Sequence, residues 1–356
     1  MNETVCRVCG QAVPLTAEYL GVCPACARAG SEAALRRALE VHGISRHLFG
    51  LPMLPPRTEG GVTCALCARR CRLGEGERGY CNLRAVQGGR LVHIAGVAER
   101  GLLRWYRDPL PTNCCADFVC AGHARRGMHN LAVFYASCSF NCLYCQNWDF
   151  RAAHADSDPL TSAEALAAQA NARTYCVCFF GGDPAPQMPH ALAAARLLAE
   201  RGVVVCWETA GAANPHLMDR AVRYALETGG CVKFDLKAFD KALHQVLTGA
   251  SNRQTLENFA RAAALARQRP DPPLVIAATL LVPGYVDAAQ VGKIARFIAD
   301  LDPDIPYTLL GFGPNFTMPD LPPTSVRHAE AALEAARAAG LRRVHVGNRH
   351  LLSREY

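Results

Sequence analysis

Three cysteines carry the most specific chemistry in this sequence. The run CSFNCLYC places Cys138, Cys142 and Cys145 in a C-x3-C-x2-C loop, directly after the apolar stretch 131–136. Three thiolates on one tight loop can hold three irons of a 4Fe–4S cube and leave the fourth iron open to a small molecule. An open iron can catalyse a reaction, whereas the two alternatives, a zinc knuckle or three unrelated thiols, would be structural.

The region that contains this loop alternates between short β-branched runs and alanine-rich amphipathic runs. Strands are predicted at 131–136, 175–180, 203–208, 231–236, 274–281, 307–312 and 343–346. Helices are predicted at 161–172, 186–201, 215–228, 254–268, 288–300 and 325–339, with capping boxes that begin at Thr161 and Ser251. The alternation predicts parallel strands joined by helical crossovers. A doubly wound nucleotide fold is the alternative, but no G-x-G-x-x-G motif follows the first strand.

Composition narrows the class of protein. Half of the 356 residues are hydrophobic, which suffices for a large core, and no apolar run is long enough to span a membrane. The first residues show no export signal, so we expect a cytoplasmic protein. Eighteen cysteines at metal-ligand spacings indicate a reducing compartment and bound metals. The net charge of +7 is spread along the chain, so nucleic acid is not expected as a partner.

Two cysteine-rich modules precede the alternating region. The first has the pattern C-x2-C-x13-C-x2-C and predicts a zinc ribbon, with a rubredoxin-like iron or a free redox dithiol as alternatives. Its ligands would be Cys6, Cys9, Cys23 and Cys26. The second offers four thiolates around a glycine-rich turn, and its spacing suits zinc and a fully ligated iron–sulfur cluster equally. Its ligands would be Cys64, Cys67, Cys71 and Cys81.

These patterns predict four consecutive parts of the chain. Residues 1–30 form the zinc-ribbon-like module, and residues 31–60 form a linker helix with an extended connector. Residues 61–128 form the second cysteine-rich module, which is expected to act as a lid, and residues 129–351 form the α/β region. Cys114, Cys115 and Cys120, near the end of the lid, are either further ligands or buried small residues.

From about residue 61 to residue 351 the chain resembles the radical S-adenosylmethionine (SAM) superfamily. The matching motifs are CxxxCxYCQNW at 138–148, GGDP at 181–184, WETAG at 207–211, KFDLK at 233–237, VPGYVD at 282–287 and VGN at 346–348. Within that superfamily the chain resembles pyruvate formate-lyase activating enzymes and the AmmeMemoRadiSam group. The resemblance implies an α/β fold, a partial (β/α)6 TIM-like barrel with chemistry at the C-terminal ends of its strands.

The resemblance also implies cofactors. SAM would chelate the open iron of the cluster held by Cys138, Cys142 and Cys145, with Lys237 acting beside them in catalysis. One electron would split SAM and give a 5′-deoxyadenosyl radical, which would abstract hydrogen from an unidentified substrate. The residues expected to bind SAM are Tyr144, Asn147, Gly181, Gly182, Asp183, Pro184, Glu208, Thr209, Asp235 and Lys237.

Two other functions stay open at this point. One is an activase that places a radical on a glycine of a partner enzyme, and the other is a metal-binding adaptor without catalysis. The resemblance further implies a one-electron reductant such as a flavodoxin or ferredoxin, and it allows a protein or peptide substrate. Where relatives carry polar groups on the late strands, this chain has Ala278, Thr308 and Gly313. We therefore expect the substrate to be held mainly by the lid, with Trp105 among its contacts.

Overall fold

The computed structural model describes residues 4–112 and 114–356. Its strands are β1 (Thr4–Val5), β2 (Ala12–Val13), β3 (Val62–Thr63), β4 (Arg72–Leu73), β5 (Arg84–Gln87), β6 (Arg90–His93), β7 (Leu103–Pro109), β8 (His129–Tyr135), β9 (Thr174–Phe180), β10 (Val204–Thr209), β11 (Val232–Asp235), β12 (Val275–Leu281), β13 (Tyr307–Gly311) and β14 (Val344–Gly347). Its helices are α1 (Pro24–Ala29), α2 (Glu32–His47), α3 (Ala163–Ala167), α4 (Met188–Ala199), α5 (Pro215–Thr228), α6 (Lys241–Thr248), α7 (Arg253–Ala266), α8 (Ala288–Leu301) and α9 (Val326–Ala338).

An eight-stranded sheet forms the centre of the molecule. Strands β8 to β14 are parallel and lie side by side in chain order, and β7 pairs antiparallel with β8 at one edge. A doubly wound sheet would reverse its strand order at a switch point. The unbroken order, with helices between successive strands, is that of the expected partial TIM-like barrel, which is open between β7 and β14.

Side chains alternate between the two faces of the parallel strands, as the period of a strand requires. Val177, Phe179, Val205 and Trp207 pack toward the helices in the main hydrophobic core, where each is at most 1% exposed. The residues between them face the inside of the open barrel, and several of those are polar. The helix-facing positions therefore stabilise the barrel, and the inward positions are available for chemistry.

Both predicted capping boxes are wrong by one residue. Helix α3 is capped by Ser162, whose hydroxyl accepts from the backbone N–H of Ala165 at 3.1 Å. Thr161 instead exchanges backbone hydrogen bonds with Gly101, which commits it to a β-bridge. Helix α7 likewise begins after Asn252 rather than after Ser251. For Thr161 a contact with a distant segment, invisible in local sequence, decides which residue can adopt the cap conformation.

The segment 61–128 contributes to three different places. Strands β3 to β6 form two small antiparallel sheets around the second group of cysteines. Strand β7 extends the barrel sheet, so Trp105 packs against the barrel core rather than over the substrate region. Residues 110–112 and 114–126, together called segment 110–126, run into the inside of the barrel. The part of the chain that belongs to the barrel thus begins near residue 103.

The N-terminal module packs against the barrel. The Tyr285 hydroxyl, from the VPGYVD turn, donates to the Val22 carbonyl at 2.8 Å. The Arg28 guanidinium binds the Asp287 carboxylate at 2.6 Å. Helix α2 then crosses the outside of α6. Within the described residues, no helix combines the length and apolar character needed to cross a membrane.

Candidate active site

The three-cysteine loop leaves the sheet at the C-terminal end of β8. The end of α6 fixes it, because the backbone N–H groups of Asn141 and Leu143 donate to the carbonyls of Thr248 and Leu247 at 2.9 and 3.1 Å. Burial raises the pKa of the Cys138 thiol well above its ordinary value. Burial likewise raises the pKa of Cys142 to about 11. These thiols therefore stay protonated until a metal displaces the protons.

Sulfur spacing separates two kinds of cysteine group. The Sγ atoms of Cys6, Cys9, Cys23 and Cys26 all lie within 4.8 Å of one another. A tetrahedral zinc with Zn–S bonds of about 2.3 Å needs such a cluster of thiolates. In the described chain, the sulfurs of the C-x3-C-x2-C loop form no group of that kind. Thiolates on different irons of a cube lie farther apart than thiolates on one ion, so the loop fits the expected iron–sulfur cluster.

The GGDP turn follows β9 and passes close to the end of β8. A Cβ atom on Gly182 would lie 2.3 Å from the Tyr135 carbonyl oxygen, and one on Gly181 would lie 2.1 Å from the Phe134 ring. Both glycines also have positive φ, +65° for Gly181 and +43° for Gly182. The turn thus requires glycine at both positions because of its own packing against β8.

Asp183 links the ends of three adjacent segments. Its carboxylate accepts from the Thr209 hydroxyl at 2.6 Å and from the Ser139 hydroxyl at 3.3 Å. The residue is 1% exposed, and this burial raises the pKa of Asp183 to about 6. Two of the residues expected to bind SAM, Asp183 and Thr209, therefore contact each other directly beside the cysteine loop.

Two lysine–carboxylate pairs lie on the inward face of β10 and β11. Lys237 Nζ donates to Asp235 at 2.9 Å, and Lys233 Nζ lies 3.1 Å from Glu208 Oε2. Burial alone would lower the pKa of each lysine, but the surrounding negative groups outweigh it and raise both pKa values well above the ordinary range. Both ammonium groups are therefore charged. The Lys233 side chain is only 4% exposed, and Lys233, although part of the KFDLK motif, was not among the expected site residues.

Lys233 also faces a cavity inside the barrel, which we call the thiol chamber. Lys233 Nζ donates to the sulfurs of Cys114 and Cys178 at 3.1 and 3.3 Å. The cysteines that line the chamber are Cys114, Cys115, Cys120, Cys176, Cys178, Cys206 and Cys231. The sequence signal for this site was the i, i+2 spacing of Cys176 and Cys178, which puts both on one face of a strand.

Segment 110–126 closes one side of the thiol chamber. The Thr308 hydroxyl of β13 donates to the Cys115 carbonyl at 2.7 Å, and the Phe118 ring stacks on His345 of β14 with centroids 4.5 Å apart. Atoms of Cys114, Cys115 and Glu208 lie within 4.8 Å of one another. The Lys233 ammonium already sits beside two of them, so a metal ion there would have to share the site with that charge.

The other expected SAM residues surround the same region. Tyr144 is 2% exposed, and its hydroxyl has no hydrogen-bond partner in the described chain. Asn147 lines the thiol chamber, and Pro184 begins a short 3-10 turn that leads into α4. The structure thus brings the cysteine loop, the GGDP turn and the ends of β10 and β11 to one edge of the barrel. Active-site groups of such barrels lie at this edge, and three cysteines beside two lysine–carboxylate pairs could hold an iron–sulfur cluster and an ionic ligand there.

Comparisons with known proteins give the family. Residues 132–298 match the model of the Radical SAM superfamily. Together with the activating enzymes described next, this match shows that the chain carries a radical SAM domain and is an enzyme similar to pyruvate formate-lyase activating enzymes. The resemblance seen in the sequence is confirmed, and so is the assignment as an enzyme. The family implies a 4Fe–4S cluster and SAM as cofactors.

Three relatives show how far the similarity extends. An uncharacterized protein of Methanocaldococcus jannaschii is 24% identical over 302 residues, which cover 81% of each chain. The pyruvate formate-lyase 1-activating enzyme of Escherichia coli K12 is 28% identical over 192 residues, 50% of this chain and 74% of that enzyme. The isethionate sulfite-lyase activating enzyme of Oleidesulfovibrio alaskensis is 32% identical over 135 residues, 37% of this chain and 41% of that enzyme.

A solved structure, of a domain of pyruvate-formate lyase-activating enzyme from Bacteroides vulgatus, aligns with 49% of this chain and 99% of its own at 20% identity and a TM-score of 0.40.

Proposed function

We propose that the protein cleaves SAM reductively at a 4Fe–4S cluster held by Cys138, Cys142 and Cys145. The observation that supports this most is the arrangement of the three thiols, which leave the end of β8 together but do not gather around one ion. When bound, the cluster and SAM supply an electron and a 5′-deoxyadenosyl radical that takes a hydrogen atom from the substrate.

The chain's own residues offer complementary groups to SAM. Its carboxylate can bind the Lys237 ammonium, and its ammonium and ribose hydroxyls can bind the carboxylates of Asp183 and Asp235. The unpartnered Tyr144 hydroxyl is a further buried group that a ligand would satisfy. Gly181, Gly182 and Pro184 fix the turn that carries Asp183. In this proposal Asn147 and Thr209 orient the ligand from either side.

We further propose that the substrate binds in the thiol chamber. The chamber reaches from Asn147, next to the cysteine loop, down to Cys231 at the start of β11. The Lys233–Glu208 pair stands at the boundary between the SAM region and the chamber. Its polar walls and enclosed position suit hydrogen abstraction, because the radical must meet substrate before water or oxidants.

The second candidate function is a glycyl radical enzyme activase. The names of the E. coli and O. alaskensis relatives favour it. Against it stands segment 110–126, which crosses the inside of the barrel and occupies space that a glycine-bearing loop of a partner would need. The test is incubation of the reduced protein with SAM and pyruvate formate-lyase. We expect no glycyl radical doublet in the electron paramagnetic resonance (EPR) spectrum, and a clear doublet would establish the activase.

The cofactor proposal is tested on anaerobically reconstituted, reduced protein. We expect 5′-deoxyadenosine to form from SAM, with electrons from dithionite or from a flavodoxin or ferredoxin. We also expect the EPR signal of the reduced cluster to change when SAM is added, because SAM binds iron directly. Protein that carries the cluster but neither forms 5′-deoxyadenosine nor responds to SAM by EPR would contradict the proposal.

Zinc is the metal that we propose for the N-terminal quartet, because its four sulfurs converge and a closed site gives folding energy rather than chemistry. Cys6→Ser should release about one zinc per chain, loosen residues 4–30 in hydrogen exchange and leave SAM cleavage largely intact. Iron bound by these four cysteines, or no metal at all, would contradict the assignment. We also propose that the second module binds a metal through Cys64, Cys67, Cys71 and Cys81.

A further inference from the structure

The second module differs from the zinc quartet in how its sulfurs are placed. Cys64, Cys67, Cys71 and Cys81 all line one small cavity. In the described residues, however, no three of these sulfurs lie within 4.8 Å of one another, whereas all four sulfurs of the quartet at Cys6 do. Four thiolates on one zinc would have to lie about 3.8 Å apart, given Zn–S bonds of about 2.3 Å.

The wall of this cavity includes two buried guanidinium groups, and one nitrogen of each has no hydrogen-bond partner in the described chain. Arg84 is 1% exposed, and its Nε has no hydrogen-bond partner among the described residues, although its other nitrogens donate to the carbonyls of Leu83 and Pro186. Arg69 Nη2 is likewise buried without a partner in the described chain. A buried guanidinium N–H left unsatisfied is costly, so these two groups point to an anionic occupant.

Backbone groups are also turned toward the sulfurs. The N–H of Tyr80 donates to Cys71 Sγ at 3.5 Å, and those of Leu66 and Arg69 face the sulfurs of Cys64 and Cys67. Donors of this kind stabilise the negative charge on cluster sulfurs and tune reduction potentials. A zinc site would also need such backbone donors, so the donors support a bound metal of either type. The spacing of the sulfurs then favours an iron–sulfur cluster over zinc.

The cavity lies next to the catalytic loop. Its wall includes Ser139, which directly follows Cys138, and Pro186, from the turn after β9. Arg69 Nε donates to the Ser139 carbonyl at 2.6 Å, so the two cysteine groups are joined by one side chain. The module also pairs with the loop after β10, where Ala68 N–H donates to the Ala212 carbonyl at 2.8 Å.

We infer that Cys64, Cys67, Cys71 and Cys81 hold a second, fully ligated iron–sulfur cluster, with Arg69 and Arg84 balancing its negative charge. The four thiolates leave no iron open, so this cluster stores or passes electrons beside the catalytic loop rather than binding SAM. The inference extends the proposed function without depending on it, because its test counts metal and does not require SAM cleavage.

The test removes the catalytic cluster and measures which metal the protein still binds. The variant Cys138→Ala, Cys142→Ala and Cys145→Ala is reconstituted anaerobically with iron, sulfide and competing zinc. We expect about two to four irons per chain with matching acid-labile sulfide, as [2Fe–2S] or [4Fe–4S] clusters require. Adding Cys64→Ala and Cys71→Ala should remove that iron, whereas adding Cys6→Ser should not. Zinc without sulfide at Cys64 and Cys71, or no metal there, would overturn the inference.

A second measurement keeps the inference testable if the variants without the catalytic loop cysteines do not fold. Mössbauer spectra of the wild-type holoprotein should show about one and a half to two times the cluster iron of the variant Cys64→Ala, Cys71→Ala, because the second cluster adds about two to four irons to the four of the catalytic cluster. Arg84→Met should lower the midpoint potential of the second cluster, because it removes a positive charge next to it. A spectrum that is unchanged by Cys64→Ala and Cys71→Ala, with a potential unaffected by Arg84→Met, would overturn the inference.

Discussion

The two halves of the barrel carry different kinds of side chain at the same level of the sheet. In register across the strands, Asp235 of β11 pairs with Ala278 of β12, which pairs with Thr308 of β13. At this level of the sheet, β11 thus carries a charged side chain, whereas β12 and β13 carry uncharged ones. The early half, β8 to β11, supplies the cysteine loop, Asp183 and the lysine–carboxylate pairs. The late half instead supports segment 110–126. One side of the barrel is built for the cofactor and the other for whatever limits substrate access.

The strongest test of this division removes the cysteine loop. The triple variant Cys138→Ala, Cys142→Ala and Cys145→Ala should lose SAM cleavage by at least a thousandfold, or about 4 kcal/mol of transition-state stabilisation, because no iron is left to deliver the electron. 5′-Deoxyadenosine formation measures the effect. Circular dichroism checks that the barrel is folded, and cleavage at the wild-type rate would contradict the assignment of the early half.

A second test concerns the buried ammonium group of Lys233, on β11 at the border of the early half. Lys233→Met leaves Glu208 and Cys114 without their counter-charge. Because the Glu208 side chain is 33% exposed, we expect a loss of about 2–3 kcal/mol in unfolding free energy, less than for a fully buried pair. Anaerobic denaturant titration measures it.

Lys293 provides the matched control for Lys233. It also pairs with a carboxylate, that of Asp240, but its side chain is 50% exposed. Lys293→Met should therefore cost less than about 1 kcal/mol. Adding Glu208→Gln to Lys233→Met should recover part of the loss. Equal effects of the two lysine substitutions would show that the pair in the barrel is no more important than a surface pair.

A third test uses pH. The pKa of Asp183 is raised to about 6 by burial, and the charged carboxylate binds the SAM ammonium far more strongly than the neutral acid does. SAM affinity should therefore tighten as pH rises through 6, and it should be about tenfold weaker one pH unit below that pKa, or about 1.4 kcal/mol. Asp183→Asn should flatten this profile, whereas Asp304→Asn, at an exposed ion pair, should not.

The same shift predicts an opposite effect on stability. The folded pKa lies above the ordinary value of 3.8, so Asp183 favours the folded state at pH values below about 3.8, and this contribution is lost as pH rises through about 6. At pH 7.5, Asp183→Asn should be at least as stable as wild type while binding SAM more weakly. A less stable Asp183→Asn with an unchanged affinity profile would contradict the role of Asp183.

The smallest effect is expected in the late half. Thr308→Val removes the hydrogen bond to the Cys115 carbonyl and should cost about 1 kcal/mol of unfolding free energy without altering SAM cleavage. Thr317→Val is the matched change, because the Thr317 hydroxyl donates to the Leu143 carbonyl in the cysteine loop at 2.8 Å. Thr317→Val should alter the EPR signal of the catalytic cluster. The reverse pattern would mean that the division between the halves is misplaced.

Much of the barrel could be predicted because periodicity and alternation are local properties. Helix α5 lies where the sequence places it, at Pro215–Thr228, and the seven parallel strands lie within about two residues of their predicted bounds. Helix α6 was missed because it is only eight residues long. Strand β7 was missed because its exposed arginines conceal the apolar alternation of an edge strand.

The chamber could not be predicted because it depends on contacts between distant segments. Cys114 meets Lys233 only when residues 110–126 enter the barrel. The i, i+2 spacing of Cys176 and Cys178 places both on one face of a strand, but small apolar residues are typical of a strand interior, so this spacing alone does not distinguish a site from a core. The sulfur spacing that distinguishes the two N-terminal modules is likewise a property of folded loops, since C-x2-C occurs in both kinds of site.

The hydrogen bond between Thr308 and Cys115 joins residues 193 positions apart in the chain. During synthesis, segment 110–126 therefore emerges long before the strand that holds it, and the thiols of Cys176, Cys178 and Cys206 stay accessible until β13 and β14 are made. Contacts of such high sequence separation form late and slowly. Newly made protein should thus pass through an interval in which these inner thiols react readily with oxidants. That interval ends when the barrel is complete.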